Sequence, residues 1–175
     1  MNAEMTPIDW AKRPIQKYAD FTGRASRAEY WWFFLAVIIA FIVLGIVESI
    51  LGISRMIFYA YGPLRVLLWL ATIVPCVAVG VRRLHDTNRT GWWLLLPIVP
   101  YVLAFVLGGA AMLGGAAMGS GVGAMAGAGI AGIFLLIGFV CAIVVLVFYC
   151  LPGTPGDNSY GPNPYGGAAS SIAAE

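Results

Sequence analysis

Four apolar runs, each about the length of a bilayer crossing, dominate this 175-residue sequence and limit what it can fold into. A spanning helix needs about 20 mostly apolar residues, because the hydrocarbon core is about 30 Å thick. The runs fall at 30–50, 64–81, 92–111 and 130–151. Tyr30, Trp31, Trp32, Trp92, Trp93 and Tyr149 stand at their ends, where amphipathic aromatics favour headgroup depth. Only 10% of residues are charged, against about 25% in an ordinary soluble domain. That balance excludes a soluble globular enzyme, a disordered tail protein and a secreted disulfide scaffold. The net charge of +2 gives no reason to expect nucleic acid as a partner. The expected architecture is an all-α integral membrane protein: one four-transmembrane-helix bundle, an arm over 1–29 and a Pro/Gly-rich tail over 152–175.

Lys and Arg set the expected orientation. Lys12, Arg13, Lys17, Arg24 and Arg27 precede the first run; Arg55 and Arg65 lie between the first and second; Arg82, Arg83 and Arg89 follow the second. With four spans, a cytoplasmic N-terminus puts eight cations inside and two outside, so the positive-inside rule favours both termini in the cytoplasm. The first 29 residues contain no apolar stretch of signal-peptide type, so the mature chain is expected to keep them. Cys76, Cys141 and Cys150 form no C-x-x-C pair, and their odd number is a poor disulfide framework. They read as small apolar residues.

Residues 108–132 hold ten Gly and eight Ala. Each helical Gly costs about 1 kcal/mol relative to Ala in water. This favours a loop outside the membrane, with helix extending from either neighbour. Against it stands the recurrence of Gly115, Gly119, Gly123 and Gly127 every four residues, a smooth helical face suited to close backbone approach. A re-entrant helix or a fifth span would use that face, and a fifth span would move the tail to the other side.

The arm can carry a surface helix. Pro14 suits a first-turn position, Ile15, Tyr18 and Phe21 fall roughly on one side, and Lys12, Arg13 and Lys17 can meet anionic headgroups. A membrane-flanking coil is the alternative. Ser26-Arg27-Ala28-Glu29 reads as a capping box opening the first span, worth about 1 kcal/mol.

The most informative polar segment is Arg82-Arg83-Leu84-His85-Asp86-Thr87-Asn88-Arg89-Thr90-Gly91. Continued as helix, it puts Arg82, His85, Asp86 and Arg89 on one face, with Asp86 able to pair with Arg82 and Arg89. Three readings fit. Arg–Asp pairing can hold two helices in register. The arginines can fork an anionic headgroup or another phosphate. His85, the sole histidine, can act as acid or base with Asp86 as helper. No Ser or Cys nucleophile lies nearby, and a zinc site needs about three protein ligands, so neither a triad, a metal nor a cofactor is expected. Glu48 is an acid close to a span, a functional candidate by default; Arg55 as partner, or interfacial exposure, is its structural reading. Pro75 is expected to kink the second helix, and Pro97 and Pro100 the third. No proton relay, filter motif or arginine ladder supports a channel.

Three segments together resemble a known family: Phe21-Thr22-Gly23-Arg24-Ala25-Ser26-Arg27-Ala28-Glu29-Tyr30-Trp31; Arg82-Arg83-Leu84-His85-Asp86 with Arg89-Thr90-Gly91-Trp92-Trp93; and Gly153-Thr154-Pro155-Gly156-Asp157-Asn158 with Tyr160-Gly161. Their order is similar to that of the domain of unknown function 805 family, the YhaH-like bacterial inner-membrane proteins. The resemblance covers roughly Phe21 to Pro164. It implies a small bacterial inner (plasma) membrane protein and brings no catalytic residue, cofactor or substrate. The Gly/Ala tract looks like an insertion relative to the compact family pattern, and Ser159 stands where a basic residue is common. The resemblance also suggests that the three segments belong together. One cytoplasmic-face cluster is therefore expected, with Arg24, Arg27, Arg82, Arg83, His85, Asp86 and Arg89 as headgroup- or partner-binding residues. Ser26, Glu29, Asp157, Asn158 and Tyr160 would support it.

The functional expectation is a non-enzymatic membrane protein that oligomerises, or that holds a membrane partner protein or anionic phospholipid. A small transporter or channel is the alternative, discriminated by a polar cavity reaching the midplane. A membrane enzyme acting on a lipid headgroup through His85 and Asp86 is a further one.

Overall fold

The computed structural model describes residues 5–53 and 61–164. It is helical, with no strand among the described residues beyond one isolated bridge between Asn158 and Gly161. Four helical segments among them are long and apolar enough to cross a membrane: Arg27–Ile50, Pro63–Asp86, Gly91–Ala117 and Gly121–Cys150. The chain divides into two compact units, Met1–Arg89 with Pro152–Glu175, and Thr90–Leu151.

The first unit contains helices α1 (Pro7–Gln16), α2 (Arg27–Ile50) and α3 (Pro63–Asp86). α1 begins where Thr6 and Asp9 form a reciprocal capping box and Pro7 takes the first turn. Pro14 therefore lies inside the helix and buried, not in the first turn as its position in the sequence suggested. α2 starts at Ser26, whose hydroxyl accepts the Glu29 amide at 3.0 Å. In place of the expected return bond, Glu29 makes an ion pair with Arg82.

α2 and α3 each have 24 residues, about 36 Å of helix at 1.5 Å per residue. They pack around Ala25, Phe33 and Val79, with Tyr30, Val37 and Cys76 against them. Most of their remaining apolar surface is exposed, including Ile39, Ile42, Leu67 and Leu70, as suits elements whose solvent is lipid. Pro75 removes the amide that would bond the Ala71 carbonyl. The Tyr18 hydroxyl supplies the missing donor at 2.7 Å.

Glu48 joins the opposite ends of these two helices. The α3 N-cap, Gly62, offers no side chain. Glu48 caps the helix from α2 instead: Oε1 accepts the Arg65 amide at 2.9 Å and Oε2 its Nε at 2.6 Å. The expected partner, Arg55, lies outside the described residues.

The second unit is a helical hairpin. Its first arm runs through a 3₁₀ turn (Gly91–Leu94), α4 (Leu95–Leu103), a π-helical turn (Ala104–Gly108) and α5 (Gly109–Ala117); its second is α6 (Gly121–Cys150). Pro97 occupies the first turn of α4, where its missing amide costs little, and Pro100 lies inside. The Gly/Ala tract thus forms helix on both sides of a short turn rather than a loop or a fifth span. Gly119 makes that turn at φ +65°. The series with period four is consequently split: Gly115 lies on α5, Gly119 in the turn, and Gly123 and Gly127 on α6. The two arms approach backbone to backbone. A Cβ at Gly127 would meet the Gly108 carbonyl oxygen at 2.8 Å, and one at Gly108 would meet the Ala131 Cβ at 2.6 Å. Helix is retained despite the glycines because close packing is available to both arms, and because lipid offers no partner to an open backbone. Further along the hairpin, Tyr101 packs over Gly138, and Trp93 meets Phe148 edge-on with centroids 5.3 Å apart.

Candidate functional site

The first unit brings residues of all three sequence segments together at the C-terminal end of α3. A helix ends with carbonyls that have no intrahelical partner, and here other segments supply the donors. Asn88, at φ 57°, turns the chain so that its amide bonds the His85 carbonyl and the Arg89 amide the Leu84 carbonyl. The Thr87 hydroxyl adds a bond to the Leu84 carbonyl at 2.9 Å. The tail completes the cap. The Thr154 amide donates to the Asp86 carbonyl at 2.9 Å, and Asn158 Nδ2 to the His85 carbonyl at 2.9 Å.

Asp86 is fully enclosed and is the centre of the charge arrangement. Arg24 places Nε 2.9 Å and Nη2 2.8 Å from its Oδ1, and Arg83 takes Oδ2. Arg24 then reaches into the tail, with Nη1 donating to the Gly156 carbonyl at 2.6 Å and Nη2 to the Thr154 carbonyl at 2.8 Å. Gly153 sits so close beneath that a Cβ there would overlap the Asp86 carboxylate.

Arg82 and Glu29 form a second pair, with Nη2 3.0 Å from Oε1. Both are enclosed, at 0% and 1% exposure. No nitrogen of the Arg82 guanidinium has an aligned hydrogen bond, nor does Glu29 Oε1, so charge attraction alone joins them. Arg13 from α1 approaches the other Glu29 oxygen at 4.0 Å. The Arg82 carbonyl accepts the Ala25 amide at 3.0 Å, tying α3 to the segment before α2.

His85 links the same three segments. Its Nδ1 lies 3.1 Å from the Gly23 carbonyl, and its ring stacks on Tyr160 with centroids 3.9 Å apart and planes within 6°. Asn158 also accepts the Tyr160 amide at 2.9 Å, and Asp157 accepts the Asn163 amide at 3.2 Å.

Several expected partnerships differ from this. Asp86 pairs with Arg24 and Arg83, not with Arg82 and Arg89. The helix ends at Asp86 and the Asn88 turn removes Arg89 from its face; Arg89 Nη1 instead donates to the Thr87 carbonyl at 3.2 Å. Arg24, Arg82 and Arg83 turn their guanidinium groups inward, so they do not form an outward phosphate fork. Asp86 and His85 are adjacent in sequence but serve different partners, so the carboxylate does not orient the imidazole. Arg27 is exposed, as are Lys12 and Lys17 on and beside α1. Among the described residues no group of three His, Cys, Asp or Glu could hold a metal ion. Sequence reasoning did not find the Tyr18–Ala71 bond; its available signal was Pro75, which leaves a carbonyl four residues earlier in need of a donor.

A family model described as "Protein of unknown function (DUF805)" matches residues 18–162, which include Arg24, Glu29, Arg82, Arg83, His85, Asp86 and Tyr160. The chain belongs to the DUF805 family. It is 32% identical over 157 residues to "Inner membrane protein YhaH" of Escherichia coli strain K12, covering 90% of this chain and 97% of that one. It has the same identity over the same length to "Inner membrane protein YhaI" of that strain, covering 96% of it. "Uncharacterized protein YiiR" of the same strain is 36% identical over 87 residues, 47% of this chain and 52% of that one. No solved structure matches. With four helices long and apolar enough to cross, this DUF805 protein is a multi-pass protein of the bacterial inner membrane.

Proposed function

We propose that this DUF805 protein is a non-enzymatic membrane protein that gathers anionic lipid headgroups at its cytoplasmic face, around a charged knot that is itself structural. The observation that carries this reading is the division of the cations into two sets. Arg24, Arg82 and Arg83 are buried and face the carboxylates of Asp86 and Glu29. Lys12, Lys17 and Arg27 are exposed on the same unit. A juxtamembrane cation contributes about 1 kcal/mol toward an anionic leaflet, so three of them give useful attraction without a dedicated pocket. The positive-inside count favours the cytoplasmic side for these residues. The engagement of His85 with Gly23 and Tyr160 supports a holding role for the imidazole rather than proton transfer.

Native mass spectrometry on gently extracted protein tests the reading, comparing the wild type with Lys12→Gln/Lys17→Gln/Arg27→Gln. The wild type is expected to retain anionic phospholipid and the folded triple variant to lose it. Equal retention by both, or wild type carrying a protein partner and no lipid, would overturn it.

A further inference from the structure

We propose that α1 lies in the plane of the membrane surface, with Ile8 and Ile15 among the acyl chains and Lys12 and Lys17 among anionic headgroups. The lysine half of this rests on the headgroup reading above; the isoleucine half does not. α1 is amphipathic, and the protein covers only part of its apolar side. Pro14 is buried and Trp10 half-buried, while Ile8 and Ile15, seven residues apart and so on one stripe, are 64% and 60% exposed. An apolar stripe left uncovered on a membrane protein has lipid as its natural neighbour.

The bond from the Tyr18 hydroxyl to the Ala71 carbonyl ties the chain that leaves α1 to lipid-facing surface of α3. Ala71 lies eleven residues before Arg82 on α3, about 16 Å along the helix axis. Tyr18, two residues past the end of α1, thus reaches the apolar part of α3, where Leu67, Trp69 and Leu70 are also exposed. On the other side of α1, Arg13 turns toward Glu29, the charged end of the unit. Lys12, four residues after Ile8 and three before Ile15, lies along the same stripe, where its stem can follow apolar surface while the ammonium reaches the headgroups. A second copy of the chain could cover the stripe equally well by apolarity, but the charge of Lys12 within it favours an anionic lipid surface.

Site-specific photo-crosslinking of the full chain tests this. Benzoylphenylalanine replaces Ile8, Ile15, Gln16 (exposed, one turn after Lys12 and next to Lys17) or, as a lipid-facing control, Leu67. The protein is irradiated in vesicles of phosphatidylcholine with or without phosphatidylglycerol, and adducts are read by mass. Lipid adducts at positions 8 and 15 matching those at 67, and adducts at 16 enriched in phosphatidylglycerol, are expected. Unmodified protein at 8 and 15 while 67 reacts would overturn the seating of α1. Protein dimers at 8 or 15 would overturn it in favour of a second copy. Lipid adducts at 8 and 15 with no phosphatidylglycerol enrichment at 16 would overturn the lysine half alone.

Discussion

Arg24 and Asp86 are 62 residues apart in sequence, yet two nitrogens of the one converge within 3 Å on a single oxygen of the other. Arg83 takes the second oxygen. One buried acid therefore holds the segment before α2, the end of α3 and, through the remaining bonds of Arg24, the tail.

Replacing that acid leaves two enclosed guanidinium groups without their counter-charge. Asp86→Asn is expected to destabilise the protein by about 3–5 kcal/mol, the range for breaking one side of a buried pair. Thermal unfolding in detergent checks this, and a melting midpoint equal to wild type would contradict it.

Gly153 tests the tail clasp separately. Gly153→Ala places a methyl group in the volume of the Asp86 carboxylate, so carboxylate or tail must move. The expected cost is about 1–3 kcal/mol, typical of overpacking. Hydrogen exchange at the Thr154 amide, now bonded to the Asp86 carbonyl, should accelerate; unchanged protection would show that the tail is held by other means.

Tyr18 and Pro75 form a natural double-mutant cycle. Tyr18→Phe strands the Ala71 carbonyl and is expected to cost about 1–3 kcal/mol. Pro75→Ala returns an amide donor four residues on, so in that background Tyr18→Phe should be nearly neutral. Additive effects would mean that the hydroxyl does not satisfy this carbonyl.

Asp9 gives α1 a pH dependence. The Thr6 hydroxyl and amide hold its carboxyl below the ordinary value of 3.8. A lowered folded pKa means that the cap contributes fully above the ordinary Asp range and is lost as pH falls through the lowered value. NMR titration of the Asp9 carboxyl should move upward in Thr6→Ala, and an unchanged titration would remove the hydroxyl as its cause.

Much of this is legible in the sequence. The spans, the Ser26 cap and the association of three distant motifs follow from apolar run length, capping chemistry and resemblance. The pairings were harder. Nothing local distinguishes Arg82 from Arg83 as the partner of Asp86: the choice depends on Arg24 arriving from the segment before α2, on Glu29 arriving from α2 itself, and on the Asn88 turn that removes Arg89. The Gly/Ala tract was read through the cost of glycine in water, which understates how much helix two such tracts gain by packing on each other. Glu48 reads in the sequence as a functional candidate, with Arg55 or interfacial exposure as its structural alternative; its partner in the fold, Arg65, follows it by 17 residues, and only the antiparallel pairing of α2 and α3 joins them.

On the function proposed above, enclosed cations hold the fold while exposed ones hold lipid. The most direct measurement is the melting midpoint of detergent-solubilised protein as phosphatidylglycerol is titrated in. A ligand of the folded state stabilises by about 2.7 kcal/mol at a hundredfold excess over Kd. Wild type and Gly153→Ala are both expected to shift upward by similar amounts, from different starting points, while Lys12→Gln/Lys17→Gln/Arg27→Gln does not shift from its own starting midpoint. A triple variant that shifts as much as wild type would contradict it.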